Sequence, residues 1–167
     1  MNFISLIIGI IAVIFYILSI QCKSKRNVLY MQLVANVFYS IQYLLLNALS
    51  AGFITILSVF RCFIYNVYET KNKKIPVLYP ILFIVLITII SIITYTNILS
   101  LIPLFINIAY ILCTYFNNLK AMRLTFLGCA ITWIIYNYKV GAFASLIGNV
   151  FEIVSCLIAL KRFKKES

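Results

Sequence analysis

Two charged residues, Arg61 and Glu152, lie deep inside long apolar segments of this sequence. A charged side chain at the centre of a bilayer costs about 2.5 to 3.5 kcal/mol on insertion scales, so each needs a partner or a wet cavity. The two residues are expected to lie close together, with two uses open. They form a salt bridge that only holds two parts of the protein together, or they face a ligand and present the guanidinium to an anionic or zwitterionic substrate.

Uncharged polar and aromatic side chains accompany both charges at similar depth. The predicted substrate-binding residues are Asn36, Tyr39, Ser58, Arg61, Asn107, Trp133, Asn149 and Glu152. Helical spacing places Asn36, Tyr39 and Tyr43 on one face, so that these groups line one pocket. The alternative for each single amide is that it only forms a hydrogen bond between helices, which contributes about 1 kcal/mol in a membrane. Trp133 and Tyr39 suit an aromatic clamp for a ring-shaped ligand, or they are interface anchors.

Long apolar segments must position these residues. The chain is 65% hydrophobic and only 10% charged, with a mean hydropathy of +1.10, which indicates lipid as its main solvent. A bilayer core of about 30 Å takes about 20 apolar residues per helix. Seven transmembrane helices are predicted over residues 3–21, 28–46, 51–69, 76–95, 98–116, 121–138 and 141–160. Gly9, Ala12, Gly128 and Gly148 suit close approach between them.

The distribution of basic residues predicts the orientation in the membrane. Twelve of the fourteen Lys and Arg residues fall on one side of the seven predicted spans, in the segments 23–26, 71–74, 120–123 and 161–165. The opposite side has only Lys139, and Arg61 lies within a span. Because short cytoplasmic loops carry the excess of positive charge, the N-terminus is predicted outside and the C-terminus in the cytoplasm. The same clustering argues against a nucleic-acid partner, despite the net charge of +11.

An internal repeat relates the two ends of the chain. Tyr16 aligns with Tyr110 and Tyr39 with Trp133 at an offset of 94 residues, and Arg61 faces Glu152 at an offset of 91. The sequence therefore predicts two parallel three-helix repeats, residues 1–70 and 98–167, joined by a linker helix in 71–97.

This 3+1+3 plan resembles the SWEET and PQ-loop superfamily of small-molecule transporters, which includes the KDEL receptors. The segments 122–123, 129–137 and 141–143, with Ala51-Gly52 followed by Arg61, more closely resemble the bacterial YgjV-type inner-membrane proteins. The resemblance implies an all-α protein of the bacterial inner membrane with a SWEET-like fold. One difference is that prolines hinge four SWEET helices, whereas here only the fifth helix keeps one, Pro103.

Few residues suit catalysis. The chain has no His and no Asp, and its five cysteines are scattered singly, so no enzyme, metal site, cofactor or disulfide framework is predicted. The predicted function is facilitative uptake or export of a small polar metabolite by alternating access. The alternative is a non-transporting receptor or assembly protein with the same fold. The predicted partners are the lipid bilayer and the metabolite, with homo-oligomerisation left open.

Overall fold

A computed structural model describes residues 3–116 and 118–164, without the side chains of Phe163 and Lys164. The described chain forms seven α-helices and one 3₁₀ turn and contains no strand. The helices are α1 (Phe3–Gln21), α2 (Lys25–Leu45), α3 (Leu49–Thr70), α4 (Leu78–Ile93), α5 (Ile102–Tyr115), α6 (Leu119–Val140) and α7 (Phe143–Lys164), and the 3₁₀ turn Ile98–Leu101 precedes α5. Lys165 and Glu166 of the predicted tail lie outside the described residues.

The seven helices agree with the predicted spans to within about one helical turn, which confirms an all-helical chain. Six are long and apolar enough to cross a membrane, the fifth of them counted together with its 3₁₀ turn. The helix α4 has 16 residues and is therefore about 24 Å long, shorter than a bilayer core of about 30 Å. By length alone, crossing is thus supported for six helices rather than the seven predicted.

Local sequence explains where several helices begin and end. Asn47 takes a left-handed conformation (φ 56°) between α2 and α3, as expected for a turn residue at the predicted break. Gly141 ends α6 at φ 74°, the conformation that favours glycine. Ser24 caps α2 by accepting a hydrogen bond from the Asn27 backbone N–H, so Lys25 lies in the first turn rather than in the predicted loop.

Six of the helices close into a ring around the centre of the bundle. Each packs against its neighbours in the order α1, α2, α3, α5, α6, α7, and α7 returns to α1. The helix α4 packs outside this ring against α3 and α5. Pro103 lies in the first turn of α5, where its missing N–H has no intrahelical role, so it starts that helix without hinging its interior.

Close helix approach depends on glycine at two of the predicted positions. A Cβ added at Gly9 would collide with the side chain of Gln42, and one added at Gly148 would collide with Val13. Around Gly128 nothing lies within 4 Å of such a Cβ. The packing role is thus confirmed for Gly9 and Gly148 and is wrong for Gly128, because that residue faces outward from the ring.

The Gly148→Ala protein is expected to be less stable than the parent by roughly 1 to 3 kcal/mol, since the β-branched Val13 has few alternative rotamers to move into. The matched control is Gly128→Ala, where the methyl group meets open space and alanine favours the helix by up to about 1 kcal/mol. Thermal unfolding in detergent compares them. Equal melting temperatures for the two variants would contradict the close contact between α1 and α7.

One basic residue predicted as a topology signal is instead buried. Arg123 of α6 donates hydrogen bonds to the backbone oxygens of Cys22, at 3.0 Å, and Ile20, at 3.4 Å. Carbonyls at a helix C-terminus lack intrahelical donors and favour a nearby cation, so Arg123 fastens α6 to the end of α1. Burial raises the pKa of the Cys22 thiol, which the Arg123 charge partly opposes.

Replacing Arg123 with Gln is expected to lower stability by about 1 to 3 kcal/mol, because a shorter amide leaves buried carbonyls without donors. Lys120→Gln removes one positive charge from the same end of α6 at an exposed position and serves as the control. The melting temperatures of the two proteins in detergent give the comparison. If the melting temperature falls by the same amount in both variants, the effect comes from the loss of positive charge and not from the contact with α1.

Candidate functional site

A small polar cavity lies inside the ring of six helices. Its volume is about 40 Å³, enough for only a few water molecules. Every helix of the ring contributes to its wall, and α4 contributes none of the lining. The lining residues are Tyr16, Gln32, Asn36, Tyr39, Tyr43, Thr55, Arg61, Asn107, Tyr110, Trp133, Asn137, Ser145, Asn149 and Glu152. In this conformation the cavity is closed to any metabolite.

Seven of the eight predicted site residues line this cavity. The exception is Ser58, which lies behind it and donates a hydrogen bond to the Asn107 side-chain oxygen at 2.7 Å. The Asn107 amide nitrogen in turn donates to the Pro103 carbonyl at 2.9 Å. Ser58 therefore fixes the orientation of a lining amide and does not itself face the cavity.

Arg61 and Glu152 share the cavity but do not form the direct salt bridge that was one of their two expected uses. In the described part of the chain no nitrogen of Arg61 lies within ion-pair distance of the Glu152 carboxylate. Arg61 instead donates from Nη1 to the Tyr110 backbone oxygen at 3.0 Å and to the Thr114 hydroxyl at 2.7 Å. The reason is geometric, because both acceptors belong to α5, which packs directly beside α3, whereas α7 lies across the ring from α3.

Glu152 ends a chain of hydrogen bonds that crosses from α2 through α6 to α7. The Tyr43 hydroxyl donates to the Asn137 Oδ1 at 2.9 Å, and Asn137 Nδ2 donates to the Asn149 Oδ1 at 2.8 Å. Asn149 Nδ2 then donates to the Glu152 Oε2 at 3.0 Å. The other carboxylate oxygen, Oε1, is buried without a hydrogen-bond partner among the described residues. Only one of its two oxygens is thus compensated by the protein.

The predicted aromatic clamp is already filled by a side chain of the protein. The Tyr43 ring stacks on Trp133 with centroids 5.8 Å apart, and it also stacks on Tyr39 at 6.2 Å. In this conformation Tyr39 and Trp133 therefore each contact Tyr43, the side chain that takes the place of a ligand in the clamp. A ring-shaped ligand would have to displace Tyr43 to reach both residues.

Side-chain hydrogen bonds around the cavity join helices that are not neighbours in the ring. The Tyr16 hydroxyl of α1 donates to the Tyr110 hydroxyl of α5 at 3.2 Å, with Phe126 packed against both rings. The Ser145 hydroxyl of α7 donates to the Gln42 side-chain oxygen of α2 at 2.6 Å. These contacts tie opposite parts of the ring together across its centre.

Six lining residues were missed by the sequence analysis: Tyr16, Gln32, Thr55, Tyr110, Asn137 and Ser145. A signal for two of them was present, since Tyr16 aligns with Tyr110 at an offset of 94. The same offset separates Tyr43 from Asn137, and each of these pairs is joined by a hydrogen bond. Aligned residues nearest to a shared axis meet each other, so the alignment itself marked positions at the centre.

Comparison with known protein families shows a match over nearly the whole chain. The family model Imp-YgjV, described as a bacterial inner membrane protein, matches residues 3–167. No curated protein and no solved structure matches the chain.

Proposed function

The chain belongs to the Imp-YgjV family of bacterial inner membrane proteins, and we propose that it transports a small polar metabolite across that membrane by alternating access. The closed polar cavity is the observation that carries the proposal. Polar and charged groups are expensive inside a membrane protein, and they gather where a substrate or ion passes. Fourteen residues from all six ring helices converge on one cavity here, which is more than helix packing requires.

The proposed mechanism is a rocking of two parallel triplets, α1–α3 and α5–α7, in a SWEET-like 3+1+3 arrangement with α4 as the linker. Two hydrogen bonds between positions 94 residues apart support this arrangement. The tyrosine pair Tyr16 and Tyr110 would open on the cytoplasmic side, and the pair Tyr43 and Asn137 on the outer side. This assignment takes the orientation from the excess of basic residues on the cytoplasmic side.

Flux in proteoliposomes tests the proposal. Purified protein reconstituted into vesicles is offered a panel of labelled polar metabolites, and uptake is compared with that of protein-free vesicles. We expect at least one metabolite to be taken up and to show counterflow, in which unlabelled internal substrate accelerates entry. Absence of flux for every compound, with binding retained, would contradict transport.

The second candidate is a receptor or assembly protein that binds without transporting. A cavity of about 40 Å³ leaves no room for a metabolite in this conformation, so a receptor and a transporter would both have to widen it to bind a ligand. Counterflow separates the two candidates, because a receptor saturates with its ligand but exchanges nothing across the vesicle membrane.

A further inference from the structure

Two opposite charges share the cavity and remain unpaired with each other. Arg61 and Glu152 are each only 3% exposed. Among the described residues, Arg61 Nε and Glu152 Oε1 are buried with no hydrogen-bond partner. A buried polar atom without a partner is costly, and for a charged group the cost is higher still. A direct salt bridge would relieve both residues, yet the protein holds them apart.

Neutral partners fix the two charges in their separate places. The Tyr110 carbonyl and the Thr114 hydroxyl hold Arg61 on the α5 side. Glu152 is held on α7 by Asn149, which is itself fixed by Asn137. Each charged group therefore has some of its polar atoms held by the protein and one, Arg61 Nε or Glu152 Oε1, buried without a hydrogen-bond partner among the described residues. Such an arrangement preorganises two charged contacts of opposite sign for a ligand.

We propose that the cavity binds a small zwitterion, with its carboxylate on Arg61 and its ammonium group on Glu152. This inference rests on the proposed function and names the substrate class of the same site. The guanidinium matches a carboxylate through paired N–H donors. The ammonium group gains from the charge-assisted contact with the Glu152 carboxylate, which lines the same cavity.

Other ligand classes leave a charge uncompensated. A simple anion satisfies Arg61 but brings a second negative charge towards Glu152, and a simple cation does the reverse near Arg61. A neutral ligand such as a sugar hydrogen-bonds both groups without neutralising either. A molecule that carries both charges on a short spacer removes both costs at once, and its lack of net charge suits a site closed from water.

Ligand-dependent melting of the purified protein in detergent tests the inference. The probes are glycine, β-alanine and γ-aminobutyrate, which carry the same two charges at increasing separation. Propionate, propylamine and propionamide are the matched anion, cation and neutral compound. We expect at least one zwitterion at tens of millimolar to raise the melting temperature, and the three matched compounds to leave it unchanged. Stabilisation by propionate or propylamine as strong as that by the best zwitterion would overturn the proposal, as would a complete lack of response to the zwitterions.

Two variants that each remove one charge assign the two contacts. Glu152→Gln is expected to weaken zwitterion binding about 30-fold or more and to admit propionate. Arg61→Gln is expected to weaken it as strongly and to admit propylamine. Glu69→Gln and Arg26→Gln, both at residues away from the cavity, should keep the parent's preference for zwitterions. Unchanged zwitterion affinity in Glu152→Gln would refute the ammonium contact.

The same proteins in vesicles separate this inference from the proposed function. Zwitterion binding without flux or counterflow would leave the ligand class standing and remove transport. Flux of a neutral metabolite through the parent and through Glu152→Gln at equal rates would support transport and contradict the proposed ligand class.

Discussion

Exchanging the two cavity charges, Arg61→Glu together with Glu152→Arg, is expected to leave the protein about 3 kcal/mol or more less stable than the parent. The exchange keeps one positive and one negative charge but gives each the wrong local partners. A carboxylate at position 61 would face the Tyr110 carbonyl, which is also an acceptor. A guanidinium at position 152 would face the donating amide nitrogen of Asn149. Each buried mismatch costs about 1 to 3 kcal/mol, and more for a charged group.

Thermal unfolding in detergent measures the effect of the exchange. The matched control is the double variant Arg61→Lys with Glu152→Asp, which keeps each sign in its place and is expected to stay closer to the parent. Parental stability of the exchanged protein would mean that the two side chains act as one direct ion pair. The separate hydrogen bonds to α5 and to Asn149 would then not describe their energetics.

Flux through the reconstituted protein is expected to fall about 30-fold or more in Arg61→Ala and in Glu152→Ala. Truncating one partner of a buried charged contact costs about 2 to 5 kcal/mol. When either residue is removed, the other carries the opposite charge and cannot replace the lost contact with the substrate. Initial uptake rates of the metabolite found in the panel give the measurement. The variants Arg26→Ala and Glu69→Ala, at residues that do not line the cavity, are the controls and should transport at a rate near that of the parent.

Loss of flux has to be distinguished from loss of folding. Each variant is therefore compared with the parent by its melting temperature and by the yield of monodisperse protein before reconstitution. A well-folded Arg61→Ala or Glu152→Ala protein with normal flux would exclude the cavity as the substrate site. It would leave the fold and the family unaffected.

Both predictions concern residues that line the same small cavity. Its lining is tied together by side-chain hydrogen bonds between helices, at Tyr16 with Tyr110 and at Tyr43 with Asn137. A hydrogen bond between uncharged groups contributes only about 0.5 to 1.5 kcal/mol, so each of these contacts is individually weak. The ring of Tyr43, stacked on Trp133, has to move for any ring-shaped ligand to enter.

The helices were predictable because each is long, apolar and ended by a local signal. The break at Asn47 and the stop at Gly141 depend on backbone conformations that few residues adopt. The surroundings of the basic residues were harder to predict. Lys25 is buried and forms an ion pair with Glu69 at 3.4 Å, and Arg123 binds the end of α1. Counting Lys and Arg along the sequence does not distinguish buried residues from exposed ones, because the count contains no information on which groups lie near each other.

The sequence by itself determined the seven helices and the position of Arg61 and Glu152 near the middle of α3 and α7. Hydropathy and helical period suffice for these, since both act along a single segment. Only the tertiary structure decided that Arg61 turns to α5, that Glu152 stays with Asn149, and that Tyr43 fills the clamp. These contacts depend on which helices face each other across the ring and on the distances between them. Spacing along the chain fixes a side chain's face and depth but not the partner across the ring.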